Sequence, residues 1–90
     1  YLPLLQARYW AAKGKYPNAI ALANDLVAIN PDSAYADRLV FLAAECEEKQ
    51  GQPDRARAGY KALLTDYPGS PLVTDANQRL AQLAAKGEKK

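Results

Sequence analysis

The residues that could carry chemistry are few, and their spacing argues against it. The 90-residue chain holds no histidine, so the commonest general base and metal ligand is missing. Its single cysteine, Cys46, has no partner for an intramolecular disulfide. Glu45 and Glu47 beside it push the thiol toward its protonated, unreactive form. At helical spacing from Leu39 and Leu42/Ala43, Cys46 reads as a small core residue, with a reactive thiol as the alternative. Ser33 and Ser70 have no base nearby in sequence and stand where helix caps are needed. The five glycines are scattered, which leaves no loop to cradle a phosphate. Glu45, Glu47 and Glu48 invite a cation, but oxygen-ligand sites need about six or more converging ligands. The group reads instead as a solvated helix face, with Glu45 and Lys49 a favourable i,i+4 pair. No catalytic, cofactor-binding or metal-ligating residue is expected, and the chain reads as a non-enzyme.

Charge and composition narrow the remaining classes. Twelve basic and ten acidic residues give a net charge of +2, spread along the chain, whereas a nucleic-acid binder would carry a basic stripe. No run of about 18 apolar residues offers a membrane span, and no signal-peptide pattern is present. The chain opens at Tyr1 inside a helical pattern and without an initiator methionine, as an excised or processed part of a longer protein would. Ninety residues make one small domain, near the lower limit for an adequate core. Apolar residues reach 49%, yet much of that is alanine, so helices can approach closely while each buries little area.

The elements that must position any site repeat. Gly51 to Pro68, GQPDRARAGYKALLTDYP, has an earlier copy in Gly14 to Pro31, GKYPNAIALANDLVAINP. Gly14 pairs with Gly51, Ala19 with Ala56, Leu26 with Leu63 and Pro31 with Pro68, at a constant period of 37 residues. In each copy a glycine closes one helix, a proline opens the next, an apolar ladder follows, and a final proline stops it. Fixed periods of this size mark stacked helical repeats.

Taken in order, the pattern predicts five helices and no strand. The first covers about 3–13, with Leu2, Leu5, Gln6 and Tyr9 at helical spacing and Trp10 beside them, and Gly14 ends it. The second opens at Pro17 with Ala19, Ala23 and Leu26 on one face, widened by Ile20, Val27 and Ile29. Asn30-Pro31 stops it. Asp32-Ser33 offers an N-cap for a long third helix, AYADRLVFLAAECEEKQ, whose stripe is Tyr35, Leu39, Leu42/Ala43 and Cys46. A fourth begins at Pro53-Asp54, the aspartate suiting the helix dipole, with Ala56, Tyr60 and Leu63/Leu64 inward. Ser70-Pro71 reads as an N-cap and first helical residue of a fifth helix over about 71–85, with Leu72, Ala76, Leu80 and Leu83 inward. Gly87 and the lysines after it are expected to fray.

This order of residues resembles the tetratricopeptide repeat, a helix–turn–helix unit of about 34 residues. The matching positions are Ala7, Trp10, Gly14, Tyr16, Ala19, Ala23, Leu26, Val27 and Pro31, and then Ala44, Glu47, Gly51, Pro53, Ala56, Tyr60, Leu63, Leu64 and Pro68. Glu47 departs from the usual aromatic and Ala23 from the usual bulky residue. The extra residues of the longer period fall after the proline and are expected to lengthen the leading helices by about a turn. The resemblance implies an all-α fold, a right-handed α-solenoid of two repeats (1–33 and 34–70), a capping helix (71–86) and a flexible basic tail (87–90). Tyr67 to Leu80, YPGSPLVTDANQRL, is similar to a bacterial cell-envelope subgroup that includes the Tol–Pal coordinator protein. That likeness implies a periplasmic or envelope location, although the subgroup also has cytoplasmic members.

In such a stack the leading helices line a concave side. The family's register puts Tyr1, Leu4 and Arg8 there from the first helix, and Arg38, Phe41, Glu45, Glu48 and Lys49 from the third. Gln78 and Gln82 come from the fifth. Phe41, the only phenylalanine, has two readings: it packs onto adjacent helices and completes the core, or it faces a partner as an apolar anchor. The expected function is an interaction module that holds a peptide or partner domain in this groove. The alternatives are a structural spacer or self-association unit, its terminal helices covered by neighbouring repeats or another copy, and an auxiliary enzyme domain.

Overall fold

Two glycines decide where the helices turn. The computed structural model describes residues 2–88, with side chains to residue 84. Its elements are α1 (Leu2–Ala12), α2 (Tyr16–Ile29), α3 (Ala36–Lys49), α4 (Pro53–Asp66) and α5 (Val73–Glu88), and no strand occurs among the described residues. Gly14 and Gly51 have φ of +77° and +80°, the left-handed region that glycine enters without a Cβ penalty. At the first, Lys15 N–H donates to Trp10 O at 2.9 Å and Gly14 N–H to Ala11 O at 3.1 Å. At the second, Gln52 N–H donates to Glu47 O at 2.9 Å and Gly51 N–H to Glu48 O at 3.1 Å. These paired bonds satisfy the last carbonyls of α1 and α3 in Schellman motifs. Pro17 and Pro53 then stand in the first turns of α2 and α4, where no intrahelical partner is lost.

The residues after each closing proline behave differently from expectation. They add no turn to the leading helices. Ser33 N–H donates to Asn30 O and Ala36 N–H to Ser33 O, so successive tight turns precede α3, which starts only at Ala36. Nor does Ser33 cap it, since its Oγ accepts the N–H of Tyr35 at 3.2 Å. Ser70 does the same for Leu72 at 3.0 Å, and α5 starts at Val73 rather than at Pro71. A short hydroxyl side chain that bonds two residues ahead offers the backbone an alternative to helix. At the other end α5 continues through Gly87 to Glu88; residues 89 and 90 of the expected tail lie outside the described ones.

The helices form a slab of 39 × 30 × 17 Å with α3 shared by two cores. On one side of α3, Leu39 and Ala43 meet Leu4 and Ala7 of α1 and Ala23 of α2. On the other, Ala44 meets Ala56, Tyr60 and Leu63 of α4, and Ala76 and Leu83 of α5. Ala19 and Ala56 are fully buried, as small residues between paired helices should be. A close approach that the repeat pattern did not flag lies at Gly59, where a Cβ would stand 2.9 Å from the Cβ of Ala44. Ile29, expected to widen the face of α2, is 80% exposed because the helix ends there before another element can cover it.

The largest departure concerns α1. The stripe Leu2, Leu5 and Tyr9 is 66%, 57% and 56% exposed, and the core takes Leu4 and Ala7 instead. Leu4, expected on the concave surface, is buried to 5% exposure in the wedge where Leu39 and Ala43 of α3 close over it.

Candidate functional site

A cavity of about 220 Å³ opens where three elements converge. Arg8 comes from α1, Arg38, Phe41, Leu42 and Glu45 from one face of α3, and Leu72 from the turn before α5. The local structure places each of these. Residues 38, 41, 42 and 45 recur at the helical spacing that brings side chains to a common face. Leu72 is held by the Ser70 turn, whose hydroxyl also donates to Asp37 Oδ2 on α3. Tyr67 ties the turn before α5 to the turn before α3 by donating its hydroxyl to Pro31 O at 2.8 Å.

The floor is apolar and the rim is charged. Phe41 is half-buried, its ring 5.4 Å from that of Tyr60 in a tilted arrangement, while its remaining face lines the cavity. It packs on the core and also keeps a face on the cavity. Arg8 and Arg38 are exposed, and the Arg38 guanidinium lies 5.3 Å from the Tyr35 ring centroid, within cation–π range.

Glu45 and Glu48 turn toward the protein. Glu45 Oε2 is 3.2 Å from Arg79 Nη2, and Glu48 Oε1 is 3.5 Å from Arg79 Nη1. Tyr60, wholly buried, donates its hydroxyl to Glu48 Oε1 at 3.0 Å. Arg79 of α5 thus holds both carboxylates of α3, and the expected Glu45–Lys49 pair gives way to Glu45–Arg79. Burial raises the Glu45 carboxyl above its ordinary range, outweighing the attraction of Arg79 and then of Lys49. Burial, and donation to Glu48, hold the Tyr60 hydroxyl well above the usual tyrosine range. The third carboxylate, Glu47, lies apart from this network and accepts from Gln50 Nε2 at 2.9 Å. Cys46 is buried, and burial followed by Glu45 pushes its thiol upward, as a core cysteine requires.

Of the residues expected on the concave face, Arg8, Arg38, Phe41 and Glu45 come together here. Glu48 lies behind them in the Arg79 network. Lys49 is exposed in the last turn of α3, and Gln78 and Gln82 are exposed on α5 without lining the cavity. Tyr1 lies outside the described residues. Sequence reasoning missed Arg79 and Leu72. The signal for Arg79 was present in the period: it stands one repeat after Leu42, a charge at an apolar step with two glutamates on the leading helix one repeat back.

No curated protein and no solved structure shows a significant match to the chain. A family model, Tetratricopeptide repeat, matches residues 11–87, which takes in both glycine turns, both proline stops and nearly all of α5. With five helices among the described residues, arranged as two repeated pairs and a closing helix, the chain belongs to the tetratricopeptide repeat family.

Proposed function

We propose that the chain holds a peptide or a partner domain in the cavity between α1, α3 and the α5 turn, as one module of a bacterial cell-envelope protein. Members of the family are non-catalytic repeat scaffolds that generally mediate protein–protein interaction, and their chemistry is that of a shaped surface. The observation that carries the specific reading is the pair of exposed guanidinia, Arg8 and Arg38, flanking the open face of Phe41. Such a site takes an inserted apolar side chain whose neighbours are matched at a charged rim. The envelope assignment rests on the likeness of Tyr67 to Leu80 to the cell-envelope subgroup.

The test is a displayed random-peptide library selected on the 90-residue chain, with selected peptides titrated calorimetrically against variants at two ionic strengths. Phe41→Ala weakens binding by more than about 1 kcal/mol, since buried anchors dominate interface energetics. Arg38→Ala costs less, about 0–1 kcal/mol, and its effect shrinks as salt is added. Circular dichroism keeps the comparison to folded variants. Peptides that bind a folded Phe41→Ala protein as well as the parent place the site elsewhere.

A further inference from the structure

We infer that Arg79 is a positioning residue for the Phe41 cavity: by holding Glu45 it keeps Arg8 and Arg38 open to a peptide segment that inserts an aromatic side chain flanked by side-chain carboxylates. This rests on the cavity reading above, and adds the charge of the occupant and the residue that sets it. Arg79 does not come from the repeat pattern. The same step is Leu42 one period earlier and Leu5 two periods earlier. Stability is a weak reason for the exchange. A guanidinium and two carboxylates drawn partly out of water lose hydration as they attract one another, and apolar residues of similar volume often serve as well.

What the guanidinium does is divide the charges around the cavity. Glu45 is the one carboxylate that lines it among the described residues. It faces Arg79 from α5, Arg8 from α1, and Lys49 and Glu48 on its own helix, with Tyr60 of α4 joined to the group through Glu48. Among these cations Arg79 makes the contact, at 3.2 Å from Glu45 Oε2, and it spans to Glu48 Oε1 at 3.5 Å. The neighbouring Asp37 accepts from the Ser70 hydroxyl and the Arg38 N–H. Arg8 and Arg38 therefore make no ion pair among the described residues, and the Tyr35 ring supports the Arg38 guanidinium.

Two open guanidinia beside a floor of Phe41, Leu42 and Leu72 define the occupant. A planar guanidinium offers paired donors that match a carboxylate, and a basic segment would meet like charges at the rim. The free face of Phe41 suits an aromatic ring, which gains from offset or edge-to-face packing. Without Arg79, Glu45 is answered only by Lys49 and by Arg8 across the cavity. Its carboxylate then repels the peptide's own and competes for Arg8.

The experiment titrates three end-blocked peptides, Glu-Glu-Phe-Glu-Glu and its glutamine-flanked and lysine-flanked counterparts, into isotopically labelled protein at low salt and follows backbone amide signals. In the parent, the acidic peptide shifts signals of residues 38–45 and Leu72. It binds at least about fivefold more tightly than the glutamine peptide, and the lysine peptide binds most weakly. Arg79→Met weakens the acidic peptide at least about fivefold and the glutamine peptide less than about twofold. Adding Glu45→Gln to Arg79→Met returns the acidic peptide to within about twofold of the parent, a rescue that a merely structural Arg79 would not allow. Should circular dichroism show Arg79→Met unfolded, Glu45→Gln alone is decisive: a loss of acidic-peptide affinity beyond about twofold overturns the inference. So do equal weakening of all three peptides by Arg79→Met and failure of the rescue. Binding that Phe41→Ala weakens but that shows no charge preference overturns this inference and leaves the cavity reading standing. No shifts with any peptide overturn both.

Discussion

The two repeats share one period, yet they solve the same packing problem with different residues and end with different surfaces. In repeat two, Tyr60 and Leu63 of α4 are fully buried, enclosed by α3 on one side and α5 on the other. In repeat one the corresponding residues of α2 are Ala23, buried, and Leu26, half-buried. A small alanine there lets Leu4 and Leu39 fill the space that Tyr60 occupies next door. The difference continues in polar bonding: Tyr60 anchors a network with Glu48, Arg79 and Glu45, while α2 has no such hydroxyl at Ala23. Repeat two is stitched laterally by charge and hydrogen bonds, and repeat one rests on apolar contact along this line. A repeat pattern thus fixes where helices run, while the neighbours of each helix decide which of its faces become core.

The largest expected effect tests that asymmetry with the same residue in both repeats. Leu63→Ala empties a site closed on both sides and costs about 2–5 kcal/mol, the range for buried leucines. Leu26→Ala removes a side chain that is already half in water and costs no more than about 2 kcal/mol. Urea unfolding of both variants reads the difference. Equal losses would mean that α2 is held as tightly as α4 and would erase the contrast between the repeats.

Much of this was legible in the sequence, and the reasons are physical. Glycine in a left-handed turn and proline in a first helical turn are local requirements, so Gly14, Gly51, Pro17 and Pro53 announced the turns directly. The stripes of α3, α4 and α5 were legible because each is covered by its neighbours, which makes periodicity and burial coincide. On α1 they do not coincide: Leu2, Leu5 and Tyr9 have helical spacing, but burial depends on a neighbouring helix as well. The start of α3 was misread because Ser33 favours either a cap or a turn, and only the course of the chain after Pro31 decides between them. Arg79 escaped because its ion pair reaches across 34 residues, and only comparison with Leu42 one repeat earlier exposes the charge.

The next effect concerns the network that repeat one lacks. Tyr60→Phe keeps the buried ring and its contact with Phe41 but removes the donor to Glu48, a hydrogen bond to a charged group worth about 1.5–3 kcal/mol. It also changes the response to alkali. The folded state holds the Tyr60 hydroxyl above the usual tyrosine pKa of about 10. A group whose folded pKa is raised contributes stability that is complete below its unfolded value and is lost as pH rises beyond it. The parent protein should therefore lose stability above about pH 10 more steeply than Tyr60→Phe, as chemical unfolding at about pH 8 to 11 would show. Parallel curves for the two proteins would mean that the Tyr60 hydroxyl meets water in the folded state.

The smallest effect is the sharpest test of how the helix pairs differ. Repeat two brings α3 and α4 together at Gly59 over Ala44, and repeat one has Leu22 and Ala7 at the matching steps. A glycine inside a helix costs about 1 kcal/mol relative to alanine, so Gly59→Ala would stabilise the protein if the two helices had room. They do not: the new methyl would sit 2.9 Å from the Cβ of Ala44, and neither atom belongs to a flexible side chain that could move aside. Overpacking costs typically about 1–3 kcal/mol, so the opposed contributions leave a net loss of up to about 2 kcal/mol. The pair Gly59→Ala with Ala44→Gly separates them. It moves the single methyl to the other helix, so the clash disappears while one helical glycine remains. Its stability should return to within about 0.5 kcal/mol of the parent, and the double-mutant cycle should show the two sites coupled. A stabilised Gly59→Ala protein, or a cycle with no coupling, would mean that α3 and α4 have the same latitude that Leu22 requires between α1 and α2.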